Sequence, residues 1–300
     1  MTGDAYVDHH FFGAALIGRW LESRGFRVGI LPQPDWRRLD DFRKLGTPRL
    51  FFGVTAGSLD SCLSWYTVQR KKRRSDGCTP GGAPEARPRQ ATVVYAGKLR
   101  EAFPGVPVVL GGLEASLRRL AYYDYWSDQV RRPILFDAKA ELLVYGMGER
   151  AVLEAAQRAQ AGEPEWWRGR IPGTACILPE SPAEGRLLPS YEKVSTDPHA
   201  YADAYGKYYR AVLENDPRPV VQPVENRFLV VSPPASPLTP GELDVLHELP
   251  FTRLPHPRYG RQAIPTLETV QTSIVSHRGC SGGCSFCAVG WHQGRHVVSR

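Results

Sequence analysis

Short hydrophobic runs alternate with amphipathic stretches along the first half of the chain. The hydrophobic runs cover residues 5–7, 27–31, 50–54, 106–110 and 141–145. Between these runs, apolar positions three or four residues apart, such as Leu16, Trp20 and Leu21, predict helices. The predicted helices lie near residues 11–24, 40–45, 92–103 and 150–160. Repeated alternation of strand and helix predicts an α/β domain with a doubly wound parallel sheet over residues 1–161.

The second half of the chain lacks this alternation. Residues 162–265 are predicted to form a connector region in which prolines recur, with an amphipathic helix at 198–214. Within it, Thr239-Pro240-Gly241-Glu242 is typical of a capped helix start. Residues 266–300 form the last predicted unit, in which a predicted strand at 270–276 leads directly into a loop rich in cysteine and glycine.

Three cysteines in that loop, Cys280, Cys284 and Cys287, form a C-x3-C-x2-C pattern. Three thiolates on one tight turn can hold three irons of a 4Fe-4S cubane. Gly282 and Gly283 would let the backbone fold closely around such a cluster. Because no fourth cysteine lies nearby, one iron would stay free to bind a substrate or cofactor.

An iron-sulfur cluster has three alternatives: a disulfide, a zinc site and buried cysteines without a ligand. The remaining cysteines are scattered singly along the chain, at Cys62, Cys78 and Cys176. Clustering of the other three favours metal binding over crosslinking. Zinc sites prefer paired C-x2-C units with a fourth ligand, which His277, His292 or His296 could supply, so zinc is the second interpretation.

Composition and charge narrow the class of protein less than the cysteines do. The chain has 300 residues, is 42% hydrophobic and has a formal charge of +7. No stretch is apolar for long enough to span a bilayer and no secretory signal begins the chain, so we expect a cytoplasmic protein without membrane contact.

Basic residues are concentrated in one run, residues 70–74, which precedes a Gly-, Pro- and Arg-rich segment at 75–90 that we predict to be a long surface loop. Tyr, Trp and Arg are interleaved over residues 113–133. That composition suits stacking and phosphate contacts, or an aromatic core with arginines at its rim. A basic run is usually a solvated loop, so charge alone does not decide whether nucleic acid is a partner.

The cysteine spacing, with Phe286 directly before the third cysteine, resembles the signature of radical S-adenosylmethionine (SAM) enzymes. Longer segments resemble the YgiQ family of radical SAM proteins. They are Gly3-Asp4-Ala5-Tyr6-Val7-Asp8-His9, Gln33-Pro34-Asp35-Trp36, Lys72-Arg73-Arg74-Ser75-Asp76, Thr79-Pro80-Gly81-Gly82, Gly111-Gly112-Leu113-Glu114-Ala115-Ser116-Leu117-Arg118-Arg119, Tyr123-Asp124-Tyr125-Trp126-Ser127-Asp128, Tyr145-Gly146-Met147-Gly148-Glu149-Arg150 and Gly294-Arg295.

The resemblance implies a flavodoxin-like domain similar to cobalamin-binding domains, followed by a radical SAM (β/α) barrel. It implies a 4Fe-4S cluster that binds SAM and cleaves it reductively to a 5'-deoxyadenosyl radical, with Phe286 near the adenine and Gly282 and Gly283 beside the cofactor. A reducing partner such as a flavodoxin or ferredoxin would supply the electron. Family members are much longer, so we expect a truncated barrel and a fragment inactive alone, acting on a substrate that the sequence does not disclose.

Cobalamin is a further candidate cofactor. Asp8-His9-His10-Phe11-Phe12-Gly13 fits the D-x-H-x-x-G pattern in which a histidine ligates cobalt, which makes His10 the residue to test. In the YgiQ pattern, however, proline follows the first histidine, and short motifs match easily by chance. We therefore prefer the simpler interpretation, a polar strand end that leads into a helix.

Three functions follow from these patterns. The first is a radical SAM enzyme that starts a radical reaction. The second is a radical SAM enzyme that modifies RNA, suggested by the basic run 70–74 and the aromatic and arginine residues of 113–133. The third is a non-catalytic zinc or iron-sulfur interaction module.

Overall fold

A seven-stranded mixed β-sheet forms the centre of the protein, which a computed structural model describes over residues 1–300. The strands are β1 Phe52–Thr55, β2 Val108–Gly111, β3 Tyr122–Asp124, β4 Gln129–Arg131, β5 Leu142–Val144, β6 Thr174–Leu178, β7 Arg186–Leu187, β8 Val220–Val224, β9 Arg227–Val231, β10 His277–Arg278 and β11 Val298–Ser299. The central sheet has the order β1-β2-β5-β6-β9-β8-β7, and β3–β4 and β10–β11 form separate two-stranded ribbons.

Twelve α-helices and three short 3-10 helices surround the strands. The α-helices are α1 Gly13–Ser23, α2 Leu39–Arg43, α3 Ser61–Trp65, α4 Ala91–Ala102, α5 Gly112–Leu117, α6 Ile134–Ala138, α7 Glu149–Gln160, α8 Tyr191–Thr196, α9 Pro198–Leu213, α10 Pro240–His247, α11 Pro265–Val270 and α12 Val289–His292. The 3-10 helices are Pro80–Gly82, Trp166–Arg168 and Pro257–Tyr259. None of the helices combines the length and the apolar character needed to cross a bilayer.

The first three strands of the sheet are parallel, as the sequence predicts. β1 pairs with β2 and β2 with β5, in a register that sets Val54 beside Leu110 and Leu110 beside Leu143. β2 and β5 are short apolar runs because both of their faces are covered, whereas β1, at the edge of the sheet, leaves Gly53 exposed. Alternate residues point to opposite sides, so Leu110 packs with Tyr95 and Leu99 of α4, whereas Val109 lies in the core under α7.

The α/β class is confirmed, but the prediction of an all-parallel sheet is wrong. β6 pairs antiparallel with β5, and β9 pairs antiparallel with β6 and β8. The predicted connector, residues 162–265, thus supplies four strands to the same sheet as residues 1–161. The segment between α7 and β6, residues 161–173, contains the 3-10 helix Trp166–Arg168 and returns the chain to the carboxyl end of β5. The next strand therefore begins beside Val144 and runs antiparallel.

The predicted strands at 5–7 and 27–31 are also absent from the sheet. Thr2 instead forms the bridges to Thr55 and Pro32. The backbone of residues 6–8 pairs with residues 254–256, through Asp8 N–H to Leu254 O and His256 N–H to Tyr6 O. The apolar side chains of 5–7 therefore pack under a later segment of the chain, which a local pattern does not reveal.

The predicted strand at 270–276 is wrong in its position. Pro265 begins helix α11, whose Leu267 and Val270 pack against Ala5 and Val7. The strand that leads into the cysteines is the shorter β10, paired antiparallel with β11, and a parallel barrel is not seen. From residue 271 to 300 only Gly279 is buried, so this segment lies on the surface of the α/β fold.

Candidate functional site

The cysteine loop is a tight turn that β10 and β11 close at its base. Cys280 donates its backbone N–H to Gly294 O at 3.0 Å, and Cys287 donates to Cys284 O at 3.2 Å. Gly279, before the first cysteine, has φ of +86°, and a Cβ there would collide with the carbonyl oxygen of His296. Glycine is thus required where the strand turns into the loop.

Gly282 lies beside two of the three sulfur atoms. A Cβ at this residue would stand 3.3 Å from Cys280 Sγ and 3.9 Å from Cys284 Sγ. A larger side chain would therefore fill the space next to both sulfurs. At Gly283 the equivalent position is 3.6 Å from Nη2 of Arg295, whose guanidinium also reaches Ser281 O.

All six cysteines are free thiols, but their surroundings divide them into two groups. Burial raises the pKa of the Cys62 thiol to about 12 and those of Cys78 and Cys176 to about 11. These three stay protonated inside the fold, which makes them poor metal ligands. The loop cysteines are half-buried or, at Cys284, exposed.

Two polar contacts anchor the loop to the ends of the parallel strands. Arg278 Nη1 donates to Glu149 Oε1 at 2.6 Å, and the Glu149 side chain is 2% exposed. On the other side of the loop, His292 Nδ1 lies 3.1 Å from Ser116 Oγ, which also accepts a hydrogen bond from Gly146 N–H at 3.1 Å. These contacts tie both flanks of the cysteines to the turns that follow β2 and β5.

An aromatic contact also holds the cysteine loop against helix α9. Trp291 of α12 packs against three tyrosines of α9, with ring centroids 5.5–6.1 Å apart: Tyr205, Tyr208 and Tyr209. Arg295 adds a hydrogen bond from Nη1 to the Tyr209 hydroxyl at 3.3 Å. Such aromatic pairs contribute beyond the area that they bury.

A large cleft of about 1800 Å³ opens beside the loop, at the carboxyl ends of β1, β2 and β5. It is lined by Gly111-Gly112 and Gly146-Met147-Gly148-Glu149, the two glycine turns that follow apolar strands in the sequence, and by residues 274–278 from the segment before the cysteines. The carboxyl ends of parallel strands are the usual place for a ligand in open α/β sheets. Because Gly112 has φ of +81° and its Cβ would overlap the Thr55 side chain, close packing of the turn also explains this glycine.

A family model described as Radical SAM N-terminal matches residues 1–273. The chain belongs to the radical SAM N-terminal family. A UPF0313 protein of Geobacter sulfurreducens is 52% identical over 303 residues, which cover the whole of this chain and 50% of the relative. A UPF0313 protein of Thermotoga maritima is 50% identical over 304 residues and is covered to 53%. These relatives are the YgiQ family of the sequence resemblance, and the chain spans about half of their length.

A solved structure is more distantly similar to this member of the radical SAM N-terminal family. It is the radical SAM methyltransferase TsrM from Kitasatospora setae with cobalamin and a 4Fe-4S cluster bound, at 18% identity and a TM-score of 0.45. The match covers 95% of this chain and 40% of that chain. Similarity at this level carries no conclusion about ligands.

For a radical SAM family member, the donor set of the loop fits a cluster, while its arrangement is not that of an assembled metal site. Three free thiols and the space at Gly282 are what thiolate ligation needs. No three His, Cys, Asp or Glu side chains of the chain are gathered in metal-binding geometry. The ligand role of Cys280, Cys284 and Cys287 therefore stays a prediction, and cluster binding would require the loop to draw them together.

The histidines offered as zinc ligands are not gathered with the cysteines. His292 contacts Ser116, and burial together with Arg119 and Arg278 lowers the pKa of its ring to about 4. His277 Nδ1 lies 2.9 Å from Ser276 Oγ. Phe286, expected near the adenine, is 90% exposed and keeps its ring free for a ligand.

His10 lines the same cleft, in surroundings unusual for a histidine. It is 7% exposed, yet neither ring nitrogen has a hydrogen-bond partner. Its ring packs against His9 at 4.2 Å, His247 at 5.3 Å and Phe251 at 6.0 Å between centroids. A free, buried nitrogen that faces a large cleft fits the candidate cobalt ligand, but the turn into α1 fits the preferred, simpler interpretation equally well. Both stay predictions.

Sequence patterns missed a buried ionic network that joins two of the family motifs. Arg87 is fully buried and contacts Asp4 at 2.8 Å and Asp76 at 2.9 Å. Asp4 Oδ2 also accepts hydrogen bonds from Ser58, at its backbone N–H and its hydroxyl. The segment 75–90 is mostly irregular, as predicted, but Arg87 anchors it inside the fold. The only signal was that Asp4 and Asp76 both lie in segments that resemble the YgiQ family.

Proposed function

We propose that this chain forms the front part of a radical SAM enzyme that holds a 4Fe-4S cluster on Cys280, Cys284 and Cys287. The observation that carries the proposal is the C-x3-C-x2-C turn of free thiols in a chain of the radical SAM N-terminal family. When bound, such a cluster supplies one electron to SAM, whose sulfonium C–S bond then breaks to give methionine and a 5'-deoxyadenosyl radical.

In this proposal the residues around the loop act by positioning the three thiols. The Arg278–Glu149 pair and the His292–Ser116 contact hold the two flanks of the loop against the strand ends. Gly282 leaves space beside the sulfurs of Cys280 and Cys284, and Gly283 leaves space beside Arg295. The cluster and the amino acid part of SAM would lie next to these two glycines. The Phe286 ring, now almost fully exposed, would cover the adenine.

Electron supply in this proposal comes from a flavodoxin or ferredoxin. Cys284 is the exposed member of the three cysteines, so the loop presents one sulfur directly to the surface. A cluster held near the surface allows a carrier protein to approach it closely.

The test of the proposal is reductive cleavage of SAM. A full-length relative such as the Geobacter sulfurreducens protein, reconstituted with iron and sulfide without oxygen, should release 5'-deoxyadenosine when dithionite and SAM are added. Alanine at the position that corresponds to Cys284 should abolish product, and alanine at the position that corresponds to buried Cys176 should not. Reconstituted protein that binds SAM but forms no 5'-deoxyadenosine would overturn the proposal.

A non-catalytic metal module is the competing proposal, and metal analysis separates the two. Protein purified without air that contains stoichiometric zinc and no sulfide would select it. His292, one of the candidate zinc ligands, contacts Ser116 instead of the cysteines. Its position therefore favours the cluster over zinc.

Cobalamin would be held, if it binds, by His10 in the cleft of about 1800 Å³. Hydroxocobalamin added to the protein should then show a shifted visible spectrum that His10→Asn abolishes. An unchanged spectrum in the wild-type protein would assign His10 to packing alone.

A further inference from the structure

Two sequence segments that lie more than 50 residues apart come together on one exposed surface. The Arg70 guanidinium lies over the Tyr125 ring at 4.7 Å from its centroid and donates to Tyr125 O at 2.6 Å. The Tyr125 hydroxyl donates back to Val68 O at 3.0 Å, and the rings of Tyr66 and Trp126 are 5.6 Å apart. The basic run and the aromatic segment therefore form one surface.

The structure also separates three of the four arginines of 113–133 from this surface. Arg118 and Arg119 are each 6% exposed; Arg118 pairs with Asp60, and Arg119 stacks on the Tyr145 ring. Arg132 pairs with Asp137 and Glu225. These three arginines are held by contacts within the fold. The fourth, Arg131, lies opposite Tyr122 on strand β4 and makes no ion pair, so it adds to the cations of the basic run.

Most of the cations beside these aromatic residues have no carboxylate partner. Lys72 pairs with Glu85, and Asp128 accepts a hydrogen bond from the Tyr123 hydroxyl. Five others make no ion pair: Arg70, Lys71, Arg73, Arg74 and Arg89. Together with Tyr66, Tyr123, Tyr125 and Trp126 they form what we name the basic-aromatic surface. Its charge is strongly positive in a chain whose formal net charge is only +7.

We propose that the basic-aromatic surface binds a single strand of nucleic acid. Tyr123 and Tyr125 are 49% and 45% exposed, so the Tyr123 ring and the face of the Tyr125 ring that Arg70 does not cover are available to unpaired bases. Unpaired cations beside exposed rings are what a single strand needs, because phosphates meet the cations while bases stack on the rings. An acidic peptide would use the cations alone and gain nothing from the rings, which makes nucleic acid the better fit.

Helix α9 connects this surface to the cysteine loop. Tyr201 accepts a hydrogen bond from Tyr123 N–H at 3.0 Å, and Tyr209 accepts one from Arg295 of the loop at 3.3 Å. Eight residues of helix separate the two tyrosines, which corresponds to about 12 Å along the helix axis. A bound strand could thus extend toward the loop. This last step rests on the proposed function and names its substrate class.

Fluorescence anisotropy with labelled 20-nucleotide single strands of RNA and of DNA tests the binding in air on the metal-free chain. Affinity should fall as salt is added. The logarithm of Kd should rise by about 0.7 per log unit of salt concentration for each phosphate contact. Lys71→Gln with Arg74→Gln should lower this slope by about 1.4. Tyr123→Ala should weaken binding about 5- to 150-fold. The RNA and DNA arms show which sugar is preferred.

The matched control variants remove two cations and one aromatic ring outside the basic-aromatic surface. Arg49→Gln with Arg261→Gln removes two exposed cations that make no ion pair, and Phe11→Ala removes a ring that is 47% exposed. Neither control should change affinity more than about twofold. No binding at 50 mM salt, equal losses in the controls, or equal competition by polyglutamate would overturn the proposal. Because no cluster is needed, these results are independent of SAM cleavage.

Discussion

Arg278 and Glu149 form a hydrogen-bonded ion pair at 2.6 Å that joins the cysteine loop to the first turn of α7. Glu149 is almost completely buried, and Arg278 is 12% exposed. The carboxylate also lies at the N-terminal end of the helix, where negative charge is favoured. This pair connects the strand that precedes Cys280 to the end of the parallel sheet.

Breaking the pair should loosen the loop more than it unfolds the protein. In Arg278→Met, we expect the local opening of residues 277–300 to become easier by about 2 kcal/mol, because Glu149 is left buried without its partner. Hydrogen–deuterium exchange of peptides from this segment should become about 30-fold faster. Arg300→Gln, which breaks a more exposed pair with Asp244, serves as the control and should change exchange little. Equal protection in the Arg278 variant would show that the pair does not hold the loop.

The buried Arg87 network should matter for global stability. Arg87→Met leaves Asp4 and Asp76 buried without their shared cation, and we expect it to lower the free energy of unfolding by about 3–5 kcal/mol. The measurement is urea denaturation followed by circular dichroism. Lys98→Met, which removes an exposed pair with Glu101, should cost less than about 1 kcal/mol. Similar losses in both variants would contradict a special role for the network.

His10 and His247 should make the protein less stable in acid. Burial lowers the pKa of both rings from 6.5 to about 4, with further contributions from Arg278 and Arg300, and from His9 and Arg253 for His10. Between these values the unfolded chain binds more protons than the folded one, so stability rises with pH from 4 to 6.5 and is fully present above 6.5.

The measurement is the midpoint of urea denaturation at neutral pH and at pH 4.5. It compares the wild-type protein with the double variant His10→Asn, His247→Asn. The double variant should lose less stability between neutral pH and pH 4.5 than the wild type does. His199→Gln replaces an exposed histidine and should leave the pH dependence as it was. A double variant with the wild-type pH dependence would mean that neither ring stays neutral in the folded state at mildly acidic pH.

The sequence predicts those parts of the fold whose cause is local. The apolar runs at 50–54, 106–110 and 141–145 overlap β1, β2 and β5, and the capping box at Thr239 and Glu242 begins α10 as expected. The direction of β6 is not written in its residues, because it depends on which neighbour the strand meets. The pattern at 270–276 predicts a strand, but Pro265 and contacts with the distant N-terminal segment place its first residue in a helix.

The candidate site likewise has a part with local causes and a part that depends on distant contacts. The cysteine spacing and the glycines are adjacent in sequence, so the loop could be identified directly. Its anchors could not, because Ser116 and Glu149 lie 176 and 129 residues from their partners His292 and Arg278. Arg87 was missed because arginine in a Gly- and Pro-rich segment is usually exposed, and only the fold brings it between two aspartates.

The most direct test of the central claim is the iron and sulfide content of the chain after anaerobic reconstitution. Wild-type protein should take up about four irons and four sulfides per chain and turn brown. Cys284→Ala should lose most of this iron, whereas Cys176→Ala, which alters a buried thiol outside the loop, should retain it. Protein that stays colourless, or a Cys284→Ala variant that binds as much iron as the wild type, would contradict a cluster held by these three cysteines.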